Sequence, residues 1–248
     1  EERREYHIRV GLLGLDVATE GPLRRGRSSY LVNYRYSTLG LLNKMGFNLV
    51  GERVSNDFQD LAFHLTFKSK NNRRIATVFG ISGLSEEHYY PVDDPAQRDL
   101  AAPNQWEDRL KPANMGVLGS TCTWLPDSKS YFKAVIALMG SDIRREADTL
   151  SRQNIRFRYE TQRYLDRRAT TALTYSRRLS PQCRLKTGAM LNWVWFDFFK
   201  KTSPRFGSPD MGGQQAVTTV QGLGSTQLVQ HYAQLQWQPA SRWKLNAG

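Results

Sequence analysis

Apolar and polar residues alternate strictly over positions 60–68, in the sequence DLAFHLTFK. One parity holds Leu61, Phe63, Leu65 and Phe67, and the other holds Asp60, Ala62, His64, Thr66 and Lys68. A period of two predicts a β-strand with one apolar and one polar face. A turn at 69–73 (SKNNR) and a second alternating segment at 74–82 (RIATVFGIS) complete a predicted β-hairpin.

The same pattern recurs along the chain and predicts ten strands in five hairpins. The paired segments are 6–18 with 29–37, 60–68 with 74–82, 113–125 with 131–140, 168–178 with 185–199, and 228–238 with 243–247. In the first hairpin, a Gly/Pro turn is expected at 20–26. The alternation breaks near Leu13 and within 113–125, and a β-bulge is one cause of such a break.

Longer polar segments separate the hairpins, at 39–57, 86–112, 142–154 and 200–225. Short and long connections therefore alternate, which places all the long ones at the same end of the strands. This asymmetry is typical of outer-membrane β-barrels, in which tight turns face the periplasm and long loops face outward. A soluble sandwich or propeller has no reason to show it.

The polar residues of the predicted strands form a second argument, because they fall opposite the apolar ones. They are Asn33, Arg35, Asp60, His64, Lys68, Lys186, Asn192, Gln234 and Gln236. One lipid-compatible face and one wet face fit a wide, water-containing barrel, with Tyr36, Trp195, Trp237 and Trp243 as interfacial girdles. The alternative is a one-sided antiparallel sheet packed on another layer, which has the same alternation.

Composition restricts the choice further. The 248 residues include 35 Lys and Arg against 23 Asp and Glu, a net charge of +12. This charge favours an anionic partner such as nucleic acid, a membrane or lipopolysaccharide. A solvated basic surface explains the charge equally well. The longest apolar stretches, such as 134–139 (AVIALM), fall far short of the roughly 18 residues of a spanning helix. A mean hydropathy of −0.57 remains compatible with a membrane barrel, since only the lipid-facing residues need be apolar.

Common catalytic motifs are absent from the sequence. It contains no GxxxxGK[ST] loop, no GxSxG elbow and no HExxH pair, so we expect neither an enzyme nor a bound cofactor. Cys122 and Cys183 form no CxxC pair. The sequence does not distinguish whether they are free, buried or joined in a disulfide. Glu86, Glu87 and His88 offer metal-ligand types, but solvated loop charge is the favoured interpretation and no metal site is predicted.

Two groups of residues are candidate substrate contacts. Tyr89, Tyr90 and Trp106 lie in the second long segment, where aromatic rings either stack on a sugar or chelate or pack the segment shut.

Arg156 and Arg158 belong to the stretch 143–168, in which eight Arg alternate with aromatic and four acidic residues. This alternation of arginine and aromatic residues suits anion binding, although an ordinary charged extracellular surface without a ligand is the favoured explanation. His64 is interpreted as a polar lumen residue and a weaker candidate.

Several segments resemble a known family. They are GLLGLDVATEGPL (11–23), SSYLVNYRYSTLGLL (28–42), DFQDLAFHLTF (57–67) and FGISGLS (79–85), which resemble early barrel strands, and RYLDRRATTALTYSRRLSP (163–181) and WKLNAG (243–248), which are similar to mid-barrel strands. The family is the TonB-dependent receptors of Bacteroidetes type. The resemblance covers nearly the whole chain. It consists of the pattern of residue types along the strands and of the EGPL turn.

The resemblance implies an all-β, antiparallel, up-and-down transmembrane barrel of 22 strands with an N-terminal plug, in the outer membrane of a Gram-negative cell. Such receptors import a scarce nutrient, such as a metal chelate, vitamin or oligosaccharide, with energy delivered by TonB. The implied partners are the TonB complex, outer-membrane lipid and lipopolysaccharide, and a small-molecule or oligosaccharide substrate, with nucleic acid not expected. Residues 1–248 show neither a plug nor a TonB-interacting segment and are therefore expected to be a partial barrel domain.

Two other functions remain open. A passive porin or adhesin-like barrel would lack a plug and a TonB-interacting motif upstream. A soluble all-β protein that binds nucleic acid or acidic glycans would be monodisperse and folded without detergent.

Overall fold

The computed structural model describes residues 3–12, 14–39, 42, 45–47, 53–99, 101–203, 217–240 and 243–248. Within these residues, eleven strands form one antiparallel sheet in which each strand pairs with its neighbours in sequence. The strands are β1 (Glu5–Gly11), β2 (Gly14–Arg24), β3 (Ser28–Tyr36), β4 (Val54–Lys68), β5 (Arg74–Tyr89), β6 (Glu107–Trp124), β7 (Ser130–Leu150), β8 (Arg156–Ser180), β9 (Cys183–Thr202), β10 (Val217–Ala240) and β11 (Trp243–Ala247). The predicted all-β, up-and-down architecture is confirmed.

Helical structure with defined bounds is short within the described residues. Two 3-10 helices, Pro95–Gln97 and Pro103–Gln105, lie between β5 and β6. Across the described ranges, no helix is long and apolar enough to cross a membrane.

The first predicted strand was wrong, and so was the count of ten. Segment 6–18 contains two strands, β1 and β2, which pair antiparallel with Ile8 opposite Val17. The chain reverses direction at 12–13, which explains why the alternation changes parity there without a bulge. Leu13 itself lies outside the described residues.

The Gly/Pro turn expected at 20–26 was also misplaced. Gly21 and Pro22 lie within β2, opposite Tyr30 and Ser29 of β3. The chain turns at 25–27, where Gly26 has a φ of +69°, a backbone conformation that glycine adopts without steric cost. A register shift follows Pro22, which has no N–H for the ladder.

The second break in alternation, within 113–125, has no bulge either. β6 pairs with β5 in unbroken register over this segment. Met115 and Leu118 are both 53% exposed on opposite faces of the strand, so this strand is apolar on both sides.

The register assigns each strand residue to one of two faces, which we name the Asp60 face and the Leu61 face. All nine polar residues predicted to share a face lie on the Asp60 face. On this face Arg35 Nε donates to Asp60 Oδ2 at 2.9 Å, and Asn33 Nδ2 donates to Asp16 Oδ1 at 2.7 Å. Polar side chains in mid-strand therefore find partners across neighbouring strands.

The Leu61 face carries an apolar band. Its lower edge is a cross-strand stack of Trp124, Phe132 and Tyr175, with ring centroids 5.5 and 4.6 Å apart. Its upper edge lies near Asn114 and Asp142. The stretch of β6 from Asn114 to Trp124 covers about 33 Å along the strand, at about 3.3 Å per residue.

The four aromatic residues predicted as girdles all lie on the Leu61 face. The register places Tyr36 and Trp195 near the upper edge of the band, and Trp237 and Trp243 near the turns at its lower end. Among the described residues, the buried apolar side chains are Leu39, Ala147, Leu150 and Tyr159, none of which lies within the band. The band is therefore exposed rather than covered by a second layer.

Two predicted long loops are largely strand. β5 continues to Tyr89 and β6 begins at Glu107, which shortens the loop predicted at 86–112 to 90–106. β7 and β8 replace most of 142–154 and leave the connection 151–155. Segments 39–57 and 200–225 lie partly outside the described residues. The strand ends that flank the remaining long connections lie at one end of the sheet, as predicted; they are Tyr36 and Val54, Tyr89 and Glu107, and Thr202 and Val217.

Candidate functional site

A cluster of charged and aromatic side chains lies on the Asp60 face at the long-connection end. In the register of β5 and β6, Glu87 pairs with Lys111 and Tyr89 pairs with Arg109. Glu87 accepts hydrogen bonds from Tyr89 Oη at 2.7 Å and from Lys111 Nζ at 2.9 Å. Arg109 Cζ and Lys111 Nζ lie 4.4 and 4.8 Å from the centroid of the Tyr89 ring. We call these four residues the Tyr89 cluster.

The Tyr89 cluster lies beyond the apolar band, and its ionisation states follow from its contacts. Burial alone would raise the pKa of Glu87, but hydrogen bonds from Tyr89 and Lys111 hold it below its ordinary value. The hydrogen bond to Glu87 in turn raises the pKa of Tyr89. The carboxylate is therefore ionised and the phenol protonated at neutral pH, with two cations against the ring.

A second charged group continues the Asp60 face across β7, β8 and β9. Buried Glu160 ion-pairs with Arg145 Nε at 3.2 Å and with Lys200 Nζ at 3.1 Å. Arg109 Nε lies 3.7 Å from Glu107. This end of the Asp60 face thus presents cations held in place by buried carboxylates, an arrangement that suits a polar or anionic ligand.

Predicted contacts Arg156 and Arg158 lie on the Leu61 face instead. Arg156 Nη2 is 2.8 Å from Asp108 Oδ2, and Asp108 Oδ1 is also 2.6 Å from His88 Nε2. Arg158 pairs with Glu146 at 2.7 Å and with Asp148. These side chains and Tyr90 line a cavity of about 300 Å³, in which carboxylates already occupy both guanidinium groups.

The Trp106 side chain contacts residues of the connection 90–106, to which it belongs. Its Nε1 donates to the Asp99 carbonyl at 2.8 Å, and Arg98 Cζ lies 5.4 Å from its ring centroid. This geometry favours the alternative in which the ring packs the segment shut. The predicted contacts Tyr89, Tyr90, Trp106, Arg156 and Arg158 therefore share one end of the sheet but not one face.

Arg98 was not predicted, yet it joins two connections. It is 7% exposed and donates to the Val92 carbonyl at 2.7 Å, to Asn154 Oδ1 at 2.7 Å and to the Ser151 carbonyl at 3.3 Å. Burial lowers its pKa, against the opposing effect of Asp93 and Asp94. No sequence signal marks it, because its acceptors come from a connection more than fifty residues away.

His64 lies apart from the other predicted contacts. It faces the Asp60 side in mid-β4, with Nδ1 3.4 Å from Thr66 Oγ1. The Tyr89 cluster is level with Asn56, which pairs with Glu87. The alternating pattern of Glu87 and Tyr89 opposite Arg109 and Lys111 was the one signal in the sequence that could have identified this cluster.

The residues of metal-ligand type at 86–88 do not converge on one site. Glu87 and His88 are neighbours in β5 and point to opposite faces, so the Glu86–His88 segment is strand rather than loop and does not converge on one ion. Within the described ranges, Glu5, His7 and Glu20 place ligand atoms within 4.8 Å of one another. They are solvent-accessible groups of a kind common without an ion, and we assign no metal to them.

Comparison with known proteins identifies solved structures that share this architecture. No protein-family model matches the sequence, and no curated protein matches it. Among solved structures, the copper transporter OprC superposes with a TM-score of 0.57 at 10% identity, over 92% of this chain and 34% of that one. The closed form of the ferric-catecholate import receptor Fiu from Escherichia coli K12 gives 0.59 at 9% identity, over 92% and 41%. The chain has the fold of part of a TonB-dependent receptor barrel.

The likeness to TonB-dependent receptors concerns the fold. The chain spans about a third to two fifths of the length of these neighbours. The open form of Fiu superposes with a TM-score of 0.54 at 10% identity, over 92% of this chain and 44% of that one. The predicted barrel fold of a TonB-dependent receptor is thus confirmed, whereas the 22 strands, the plug and the Bacteroidetes type stay predictions.

Proposed function

We propose that this chain forms part of the barrel wall of an outer-membrane, TonB-dependent importer. The observation that carries this proposal is the two-faced sheet. Most of its up-and-down strands expose apolar residues on the Leu61 face and carry polar residues on the Asp60 face, which suits a wall between lipid and water. The fold shared with a copper transporter and a ferric-catecholate import receptor supports it. The Leu61 face then contacts lipid and the Asp60 face lines the lumen.

In this proposal the long-connection end faces the outside of a Gram-negative cell, and the substrate enters along the Asp60 face. The Tyr89 cluster lies on that path and combines an aromatic ring with two cations, which suits a polar, partly anionic nutrient such as a metal chelate, vitamin or oligosaccharide. The partners are the TonB complex, outer-membrane lipid and lipopolysaccharide. The chain contributes wall and binding surface, with no chemical step and no cofactor.

The test uses the full natural chain in Gram-negative cells with and without TonB. We expect the protein in the outer-membrane fraction and TonB-dependent accumulation of at least one nutrient from a panel of labelled iron and copper chelates, vitamins and oligosaccharides. Uptake independent of TonB would favour a passive porin. A folded, detergent-free soluble protein would contradict the membrane assignment altogether.

A further inference from the structure

Two neighbouring hairpin turns carry a dense group of cations at the end of the sheet opposite the long connections. The turns 25–27 and 69–73 flank the paired strands β3 and β4. The sequence has no Asp or Glu at 21–31 or at 65–77. The cations of these segments, none of which forms an ion pair with another described residue, are Arg24, Arg25, Arg27, Lys68, Lys70, Arg73 and Arg74. Uncompensated positive charge of this density attracts anions.

The backbone places two of these cations side by side on the Asp60 face. Ser29 of β3 pairs with Thr66 of β4. One step nearer the turn, the Lys68 N–H donates to the Arg27 carbonyl at 2.7 Å, which extends the ladder and sets Arg27 opposite Lys68. Gly26, with its φ of +69°, closes the turn just before this pair. Two successive cross-strand pairs therefore share one face at the turn.

A small polar cavity lies between these two pairs and the turn. It has a volume of about 100 Å³. Its lining contains neither a carboxylate nor an apolar side chain among the described residues and consists of Gly26, Arg27, Ser28, Ser29, Thr66 and Lys68.

The polar side chains of this cavity have unused hydrogen-bonding capacity. Thr66 Oγ1 lies 3.4 Å from His64 Nδ1. The side chains of Arg27, Ser29 and Lys68 make no hydrogen bond with another described residue. Donors that converge on a cavity and have no protein acceptor are arranged for an anion.

We propose that this cavity is a binding site for a phosphate group, either of free phosphate or of a phosphorylated molecule. Arg27 and Lys68 supply the charge, and the hydroxyls of Ser29 and Thr66 donate to the remaining oxygens. The planar guanidinium fork donates two hydrogen bonds to one phosphate. The other cations of the two turns favour a doubly charged anion over a singly charged one.

The position of the cavity favours a soluble phosphate compound over a lipid. Ser29, Thr66 and Lys68 belong to the Asp60 face, opposite the apolar band. In the proposed orientation this face lines the lumen, so water reaches the site. Binding itself depends only on the fold, and the inference goes beyond the proposed import.

The experiment titrates the full natural chain, purified in detergent, with inorganic phosphate and measures binding by isothermal titration calorimetry. We expect saturable binding of phosphate. R27Q/K68Q should weaken it about a hundredfold or more, because two charge-assisted contacts are lost. Ser29→Ala should weaken it about tenfold without a change in net charge. Mobility in unheated detergent gels checks that each variant is folded.

R25Q/K70Q is the matched control. Arg25 and Lys70 are exposed residues of the same two turns and do not line the cavity, and their replacement removes the same charge. This variant should change the affinity by no more than about threefold, because salt screens charges that do not contact the ligand. Equal loss of binding in R25Q/K70Q and R27Q/K68Q would show that diffuse charge attracts the anion and would overturn the inference.

Glycerol 3-phosphate and short-chain phosphatidylglycerol, titrated in parallel, identify the source of the phosphate group. Binding of any of the three ligands that is lost in R27Q/K68Q and kept in R25Q/K70Q supports the site. Malonate, a dianion without phosphate, should bind at least about tenfold more weakly. Equal affinity for malonate, or no saturable binding of any phosphate ligand, overturns the site. An active importer without phosphate binding refutes only this site, whereas a phosphate-binding protein that imports nothing refutes only the proposed function.

Discussion

At the scale of single residues, close packing across strands limits which side chains the sheet accepts. A Cβ built on Gly188 would lie 2.6 Å from the Leu173 carbonyl oxygen and 2.6 Å from the Tyr232 ring. The Tyr232 hydroxyl lies 3.0 Å from Thr174 Oγ1, within hydrogen-bonding distance across β9. The ring is therefore fixed over a position that has room only for glycine.

Gly188→Val should destabilise the barrel by about 1–3 kcal/mol, because the backbone carbonyl cannot move aside without breaking the ladder. The fraction of protein that keeps its folded mobility in unheated detergent gels, measured against urea, checks this. Gly116→Val is the control, since the nearest atoms to a Cβ at Gly116 are 4.0 Å away. Equal loss in both variants would show that valine in mid-strand, rather than the contact with Leu173, is responsible.

The Tyr89 cluster makes a second prediction at this scale. R109Q/K111Q should weaken substrate uptake by about a hundredfold or more in apparent affinity, since it removes two charged donors and hydrogen bonds to charged groups contribute about 1.5–3 kcal/mol each. Concentration-dependent uptake into TonB-proficient cells provides the measurement. Lys129→Gln, in the turn at the opposite end of the sheet, should leave uptake unchanged, and an equal effect there would indicate a general charge effect.

At the scale of elements, the strands are longer than their apolar pattern. Above the band both faces are polar, so the period of two disappears from the sequence and strand ends look like loops. Cross-strand ion pairs, such as Glu87 with Lys111 and Glu160 with Arg145, take the place of apolar contacts there. Segments 86–112 and 142–154 were mistaken for loops for this reason.

Arg98 joins two of the connections and should govern their order. Arg98→Met should lower the local opening free energy of 90–106 by about 2 kcal/mol, because its carbonyl and amide acceptors lose their charged donor. Limited proteolysis of intact cells should then cleave 90–106 faster. Arg152→Met, a change at an exposed position in the neighbouring turn, should not alter the cleavage rate. Unchanged cleavage in the Arg98 variant would show that this contact does not order the connection.

At the scale of the whole molecule, the described sheet is open. β1 and β11 each pair on one side only, and unpaired edges of this length promote association with other strands. In the function proposed above, lipid covers the Leu61 face and water covers the Asp60 face. The stability of the sheet then depends on further strands along its open edges and on a membrane.

Spin labels placed on adjacent residues test the two faces directly. In a variant without Cys122 and Cys183, a label at Phe63→Cys should collide preferentially with oxygen in the bilayer, and one at His64→Cys with a water-soluble nickel chelate. Power-saturation electron paramagnetic resonance in vesicles measures both accessibilities. The reverse preference would invert the assignment of lumen and lipid.

The sequence by itself determined most strands of the apolar band and the end that carries the long connections, because an apolar face opposite a polar face imposes a period of two. It did not determine the faces of β5 and β6, since Ile81 and Met115 lie on the Asp60 face. It also supplied the residues of the charged end, such as Tyr89 and Arg158. Only the tertiary structure decided that Tyr89 and Arg158 lie on opposite faces, that the chain reverses at 12–13, and that Arg98 joins distant connections. Those features depend on cross-strand register and on contacts between residues far apart in sequence, for which the local pattern carries no signal.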